Sequence, residues 1–225
     1  MSGDLDLALR LLAVDPAGLR GLVLRARAGP VREKIVAALA PDWPRLHPAI
    51  DDVALFGGPD IAATLAAGRV VMRAGLLGGP PRDVILTMAE RVRPALAGRL
   101  ATALDAGALG RVLMLDEGVE DERAPDALRD RVAFVIRAEG LRDWTPPDLE
   151  AARAASARLA SVRMDGTCIE TLVGVAASFG IGDMRLPLFA LRAARALAAL
   201  EGADAVDEET LARAASLVLD RKSVV

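Results

Sequence analysis

Up to residue 143, short apolar runs alternate with segments whose apolar residues recur at helical spacing. Leu22 to Leu24, DVILTMAE (83–90), GRVLMLDEG (110–118) and RVAFVI (131–136) read as strands. The second is a continuous apolar run bounded by proline and charge, as in a strand buried on both faces. Helical patterns lie at Leu5 to Leu12, Val31 to Leu39, 59–67 with Pro59 in its first turn, and 94–106. Strands joined through helices imply an α/β unit, a parallel sheet with helical crossovers.

The character changes at Thr145-Pro146-Pro147-Asp148, which reads as a helix start with a capping Thr and prolines in the first turn. Everything beyond reads as helix: 147–160, 167–179, 185–200 and 207–219, with Asp207 and Thr210 opening the last. The expected organisation is an α/β domain over 1–143 followed by an all-helical domain over 144–225. Alanine inflates the 53% hydrophobic content, while aromatics are only 3%. That density favours helix and close helix packing.

Several function classes fall away. The net charge of −3 comes with no basic tract or aromatic platform, so no nucleic-acid partner is expected. The most apolar helix, LPLFALRAARALAAL, is interrupted by Arg192 and Arg195, so no transmembrane segment is predicted. The first residues carry acids where a signal peptide needs positive charge, and Cys168 is alone; a cytoplasmic, reducing location is expected. His47, the only histidine, lies in the proline-flanked PRLHPAID and reads as a surface or capping residue. One His and one Cys cannot supply the usual zinc ligand set, and no metal site is predicted. The stretch LDEGVEDERAPD, with Asp116, Glu117, Glu120, Asp121, Glu122 and Asp126, reads as a solvated acidic loop. Carboxylates there could meet Mg²⁺, which usually needs substrate phosphates as well.

The sharpest local signal is LRGLVLRARAGPVREK (19–34), a strand, a Gly/Pro turn and a helix start. A P-loop requires G-x-x-x-x-G-K-[ST]: glycines free backbone amides for phosphate, Lys reaches the β/γ-phosphates and the hydroxyl holds Mg²⁺. Here Arg25 stands at the first glycine, Pro30 at the last, Val31 at the lysine and Arg32 at the hydroxyl. Arg25, Arg27, Gly29 and Arg32 remain as candidate anion contacts of a degenerate loop. In VILTMAE, a Walker B strand would end in Asp-Glu; Ala89 replaces the Asp and Glu90 alone remains. The later VLMLDE (112–117) matches that motif literally and is the rival placement. Neither ATP hydrolysis nor firm nucleotide binding is expected at this site.

The phrases DPAGLRGLVLRARAGPVRE, RLHPAIDDVALFGGPDIAATLAAGR, LDEGVEDERAPDALRDRVAF and LRAARALAALEG resemble the D subunit of magnesium chelatases. More narrowly, they resemble its N-terminal AAA+ module in phototrophic bacteria. The resemblance covers nearly all of residues 10 to 220 and places VLMLDE on the strand after Walker B. It implies an AAA+ P-loop-type sheet followed by a helical lid. It also implies a mixed AAA+ ring with the ATP-hydrolysing I subunit, which carries ATP and Mg²⁺, and a large porphyrin-binding H subunit. That assembly inserts Mg²⁺ into protoporphyrin IX in (bacterio)chlorophyll biosynthesis, with the D subunit as platform and coupler.

By the same resemblance, APDALRDRVAF carries an arginine finger at Arg131 that acts in trans. Arg185, seven residues before Arg192, takes the sensor-2 position. The family's D subunit continues into an acidic, proline-rich linker and an integrin-type domain with an Asp-x-Ser-x-Ser metal site, a motif this sequence lacks. The sequence therefore reads as a fragment, truncation or short form, and chelatase activity is not expected of it alone. Two other readings stand beside this one: an AAA+ chaperone-type ATPase of another metal-insertion system, and a purely structural interaction module.

Overall fold

The computed structural model describes residues 2–178, 180 and 182–219. Two helices, α1 (Ser2–Val14) and α2 (Pro16–Leu19), lead into β1 (Gly21–Arg25). The Asp15 carboxylate caps α2 by accepting from the Gly18 amide at 2.8 Å. Then follow α3 (Pro30–Leu39), β2 (Arg45–Leu46) and α4 (Asp52–Phe56). Next, β3 (Gly57–Pro59) and β4 (Met72–Ala74) pair antiparallel around α5 (Ile61–Ala67). The chain continues through β5 (Arg82–Leu86), α6 (Pro94–Asp105), β6 (Leu109–Asp116), α7 (Asp126–Arg129) and β7 (Phe134–Arg137). The rest is helical among the described residues: α8 (Glu150–Ala155), α9 (Gly166–Ser178), α10 (Arg185–Glu201) and α11 (Glu208–Leu219).

Five strands form one parallel sheet in the order β2-β5-β6-β1-β7. Alternate residues point to opposite faces. Leu22, Leu24, Leu113, Leu115 and Ile85 enter one core with α1, α3, α10 and α11. Val23, Val112, Met114, Val84 and Leu86 enter the other, with α6 and α7. The C-terminal helices therefore extend a core that begins on the sheet. Alanines 190, 193, 194, 196, 198 and 199 of α10 are all buried, and their small side chains let α11 approach closely. Gly202 closes α10 in the left-handed conformation, φ 76°.

The strands at 83–90 and 110–118 are shorter than their apolar runs. β5 stops at Leu86 because Met88 takes φ 46°, which breaks the extended chain before a short 3-10 turn at Ala89–Arg91. Pro59 belongs to β3 rather than a helix, and α5 is capped instead by Asp60, whose carboxylate accepts from the Ala63 amide at 2.9 Å. Thr145 caps nothing: the chain stays irregular to Leu149, and Asp148 accepts from the Glu150 amide at 2.9 Å. The prolines at 146 and 147 hold their predecessors extended and delay the helix. Asp207 does open α11, accepting from the Thr210 amide at 2.8 Å. Hydrogen bonding from the Thr210 side chain, and then from its amide, holds the Asp207 carboxyl below the usual aspartate range. Phe179 and Asp220 to Val225 of the expected helical segment lie outside the described residues.

Candidate functional site

The carboxyl ends of β1, β6 and β7 open into a cleft of about 1310 Å³, closed on one side by Arg213, Ser216 and Leu217 of α11. Ligands of open α/β sheets bind at this edge. Arginines outnumber carboxylates along its wall, so the cleft carries a field that favours anions.

The turn between β1 and α3 forms its floor. Gly29 precedes α3 without any side-chain cap, and Pro30 occupies the first turn with no amide to offer. Gly29 is extended, and a Cβ there would meet open space, so no steric demand fixes this glycine. Arg27 is exposed in the turn. Arg25, at the end of β1, reaches across the cleft: its Nη2 donates to the Gly118 and Glu120 carbonyls at 3.0 and 2.9 Å, and its Nε to Glu139 at 3.3 Å. Its guanidinium thus ties β1 to the loops after β6 and β7.

Arg32 is the more telling replacement. Its side chain is 10% exposed and its Nη1 pairs with the Glu117 carboxylate. A second bond, from Nη2, goes to Glu33 at 3.3 Å, while the buried Nε has no partner among the described residues. Glu90, 3% exposed at the end of the β5 segment, accepts from the Glu117 amide at 3.1 Å and pairs with Arg91 at 3.4 Å. Arg32, Glu117 and Glu90 therefore form a chain of contacts linking α3, β6 and the turn after β5. A cation of the protein stands at the position where the motif would supply a metal-holding hydroxyl. β6 lies between β1 and β5 in the sheet and follows β5 in the chain, so VLMLDE lies on the strand after the one that leads into the Glu90 turn.

Asp116 closes the β6 corner. It is buried, with Oδ1 accepting from Gly118 at 2.9 Å and Oδ2 from Ala124 at 2.8 Å, so the acidic stretch is pinned at this corner while Glu120, Asp121, Glu122 and Asp126 are exposed as expected. His47 accepts from the Ala49 amide through Nδ1 at 3.0 Å and caps its own turn.

Arg131 and Arg185 are elsewhere. Both lie at the opposite edge of the sheet, where α6 ends, β6 begins and β7 is about to start. Arg131 donates from Nε and Nη2 to the two oxygens of Asp105 at 3.0 and 2.5 Å, and from Nη1 to the Ala127 carbonyl at 2.6 Å. Arg185, first residue of α10, reaches the same Asp105 at 3.6 Å and Asp183 at 3.6 Å. Arg185 thus stands beside Arg131 and not among the residues lining this chain's own cleft. The sequence pattern gave no hint of Asp105, which ends a helix in a stretch without motif. Glu117 was visible as half of an acid pair at a strand end, but its arginine partner lies 85 residues away.

Comparison with known proteins speaks to the fold and to the chain as a whole. Residues 169–222 match the AAA lid domain family. A candidate ATPase from Cytophaga hutchinsonii superposes with a TM-score of 0.64 at 15% identity, covering 94% of this chain and 80% of that one. The lid match and that likeness together give the fold: an AAA-type parallel sheet followed by helices. The magnesium-chelatase 60 kDa subunit of Cereibacter sphaeroides is 48% identical over 97% of this chain. A different subunit, the magnesium-chelatase 38 kDa subunit of Rhodobacter capsulatus, is 35% identical over 36% of this chain and 24% of its own length. The chain spans about 40% of the length of the 60 kDa relative it matches. Near-complete alignment of this chain at that identity, on an AAA-type fold, shows that it is similar along nearly its whole length to one part of the magnesium-chelatase 60 kDa subunit.

Proposed function

We propose that this chain is a non-hydrolysing AAA+ module of magnesium chelatase. It assembles with the ATP-hydrolysing I subunit and, with the large porphyrin-binding H subunit, couples that hydrolysis to insertion of the substrate Mg²⁺ into protoporphyrin IX. Likeness to part of the 60 kDa subunit and local likeness to the 38 kDa subunit support a place in such a multi-subunit complex.

The observation that carries the non-hydrolysing reading is the Arg32–Glu117 bridge. Val31 supplies no ammonium for the β/γ-phosphates, Pro30 no amide, and Ala89 no carboxylate. A divalent cation brought to this corner would face the Arg32 guanidinium and be repelled by it. These residues do not fit Mg-ATP, and no hydrolytic step is assigned to them.

Arg131 then acts outside its own cleft, against the γ-phosphate of a neighbouring I subunit. A guanidinium there stabilises charge in the transition state of phosphoryl transfer and is worth about 10³ to 10⁵ in turnover where it has been removed. One observation favours the purely structural alternative: most of Arg131 is engaged by Asp105 and Ala127, and its side chain is only 16% exposed. Phosphate release decides between them. The purified chain should release none from Mg-ATP. Arg131→Ala should slow the mixed complex at least about tenfold while leaving its sedimentation unchanged. Wild-type turnover by the Arg131→Ala complex would remove the finger, and turnover by the chain alone would remove the non-hydrolysing assignment.

A further inference from the structure

Asp105 ends α6 at the edge opposite the cleft and gathers positive charge from three elements. Arg131, just before β7, offers it a two-pronged fork, Nε to Oδ1 at 3.0 Å and Nη2 to Oδ2 at 2.5 Å. Arg185, from the first turn of α10, lies 3.6 Å from Oδ2. Arg20, between α2 and β1, donates from Nη1 to the Leu104 carbonyl at 2.7 Å, one residue away. Asp183 is the other carboxylate on Arg185. The Arg131 hydrogen bond, with the nearby charges of Arg131, Arg185 and Arg20, holds the Asp105 carboxyl below the usual aspartate range, so it is ionised at neutral pH.

A carboxylate in this setting does more than neutralise. A planar guanidinium held at two nitrogens has its plane and direction fixed. Arg131 uses one N–H on each of Nε, Nη1 and Nη2, which leaves a second hydrogen on each terminal nitrogen to donate onward. Arg131, Arg185 and Arg20 thus converge on Asp105 and its neighbouring carbonyl, with Asp183 as a further carboxylate on Arg185. Because Arg185 starts α10 while Arg131 belongs to the sheet unit, the single carboxylate connects the C-terminal helices to the candidate finger.

We propose that Asp105 is the positioning residue of this edge: it sets the Arg131 fork toward an anion on a neighbouring subunit and couples that setting to Arg185. The inference rests on the assignment of Arg131 to a neighbour's phosphate. It goes beyond that assignment by naming a carboxylate that touches neither nucleotide nor porphyrin yet controls turnover.

The test compares phosphate release by complexes of this chain with the ATP-hydrolysing subunit, at varied ATP. Asp105→Asn should lower kcat about tenfold with KM for ATP within about twofold, since misdirection rather than lost binding is the defect. Asp105→Glu, which restores the charge, should recover at least half of the lost turnover. The Asp105→Asn/Arg131→Ala double variant should be no slower than Arg131→Ala alone. Arg185→Ala should slow the wild type but have no further effect in the Asp105→Asn background. Arg131→Lys, which keeps the charge without the fork, tests the geometry independently and should lose as much as Asp105→Asn. Wild-type kcat in Asp105→Asn beside a slow Arg131→Ala overturns the positioning role and leaves the finger standing. So does a defect that multiplies with that of Arg131→Ala, or full activity in Arg131→Lys. Wild-type kcat in Arg131→Ala overturns the finger itself, and this inference with it.

Discussion

The carboxylate of Asp116 is 2% exposed and accepts the Gly118 and Ala124 amides, one from each end of the loop that borders the cleft. Arg25 holds the same loop from the other side through the Gly118 and Glu120 carbonyls. Replacing Asp116 by Ala strands two buried donors, each costing about 1–3 kcal/mol when left unpaired. Asp116→Ala should therefore lower unfolding stability by about 2–5 kcal/mol in urea titration, whereas Asp121→Ala in the same loop should lie within about 0.5 kcal/mol of wild type. Equal stability of Asp116→Ala and the wild type would show that the loop does not depend on that carboxylate. At this scale the sequence was only partly legible. Asp116 and Glu117 are adjacent in VLMLDE, but period-2 geometry sends their side chains to opposite sides. Asp116 turns to the loop amides and Glu117 to Arg32. Nothing in the local pattern distinguishes those fates from two solvated acids.

At the level of elements, β1, β5, β6 and β7 were announced by apolar runs, since a strand buried on both faces has no polar residues to interrupt it. The two-residue β2 and the three-residue β3 and β4 are too short to show a period, and α5 leaves Ile61 and Leu65 exposed, so its pattern says little about a buried face. The join of β1 to β6 was equally hidden. Gly21 opens β1 at φ 137°, and a Cβ there would stand 2.0 Å from the Val112 carbonyl oxygen. Backbone, not a yielding side chain, occupies that space, so Gly21→Ala should force β1 away from β6 at the centre of the sheet. The expected loss is at least about 3 kcal/mol, read by thermal or urea unfolding, because strain and a broken central pairing add. Gly98→Ala is the control, since a Cβ on that exposed face of α6 meets nothing and should be neutral or slightly stabilising. A Gly21→Ala variant as stable as the wild type would mean that the β1–β6 contact is looser than the 2.0 Å approach implies.

Across the whole molecule, the cleft and the cluster of Asp105, Arg131 and Arg185 lie at opposite ends of the sheet, and Arg131 and Arg185 stood out in the sequence only through family resemblance. Arg131 and Asp105 are 26 residues apart in the chain, and no spacing rule brings them together. Arg185 reaches them only because α10 packs on the core that α1 and α2 share. The cleft, in contrast, could be judged from 19–34 alone as a P-loop position without its lysine. What the sequence could not show is that Arg32, on the wall of the cleft, is held by an internal bridge to Glu117. This difference has a consequence. If the missing lysine were the whole defect, Val31→Lys would restore metal-dependent nucleotide binding. With Arg32 bound to Glu117 and no carboxylate at position 89, the added ammonium only increases the positive charge facing an incoming Mg²⁺. Val31→Lys should therefore give no phosphate release and no Mg-dependent rise in nucleotide affinity. The combination Val31→Lys, Arg32→Ser and Ala89→Asp removes the bridge and restores the hydroxyl and acid. It should bind ATP at least about tenfold more tightly with Mg²⁺ than without, read by calorimetry, because the ion can then link the phosphates to the loop. Mg-dependent binding by Val31→Lys alone would show that the Arg32–Glu117 bridge opens freely, and the cleft would then be inactive only for want of a lysine.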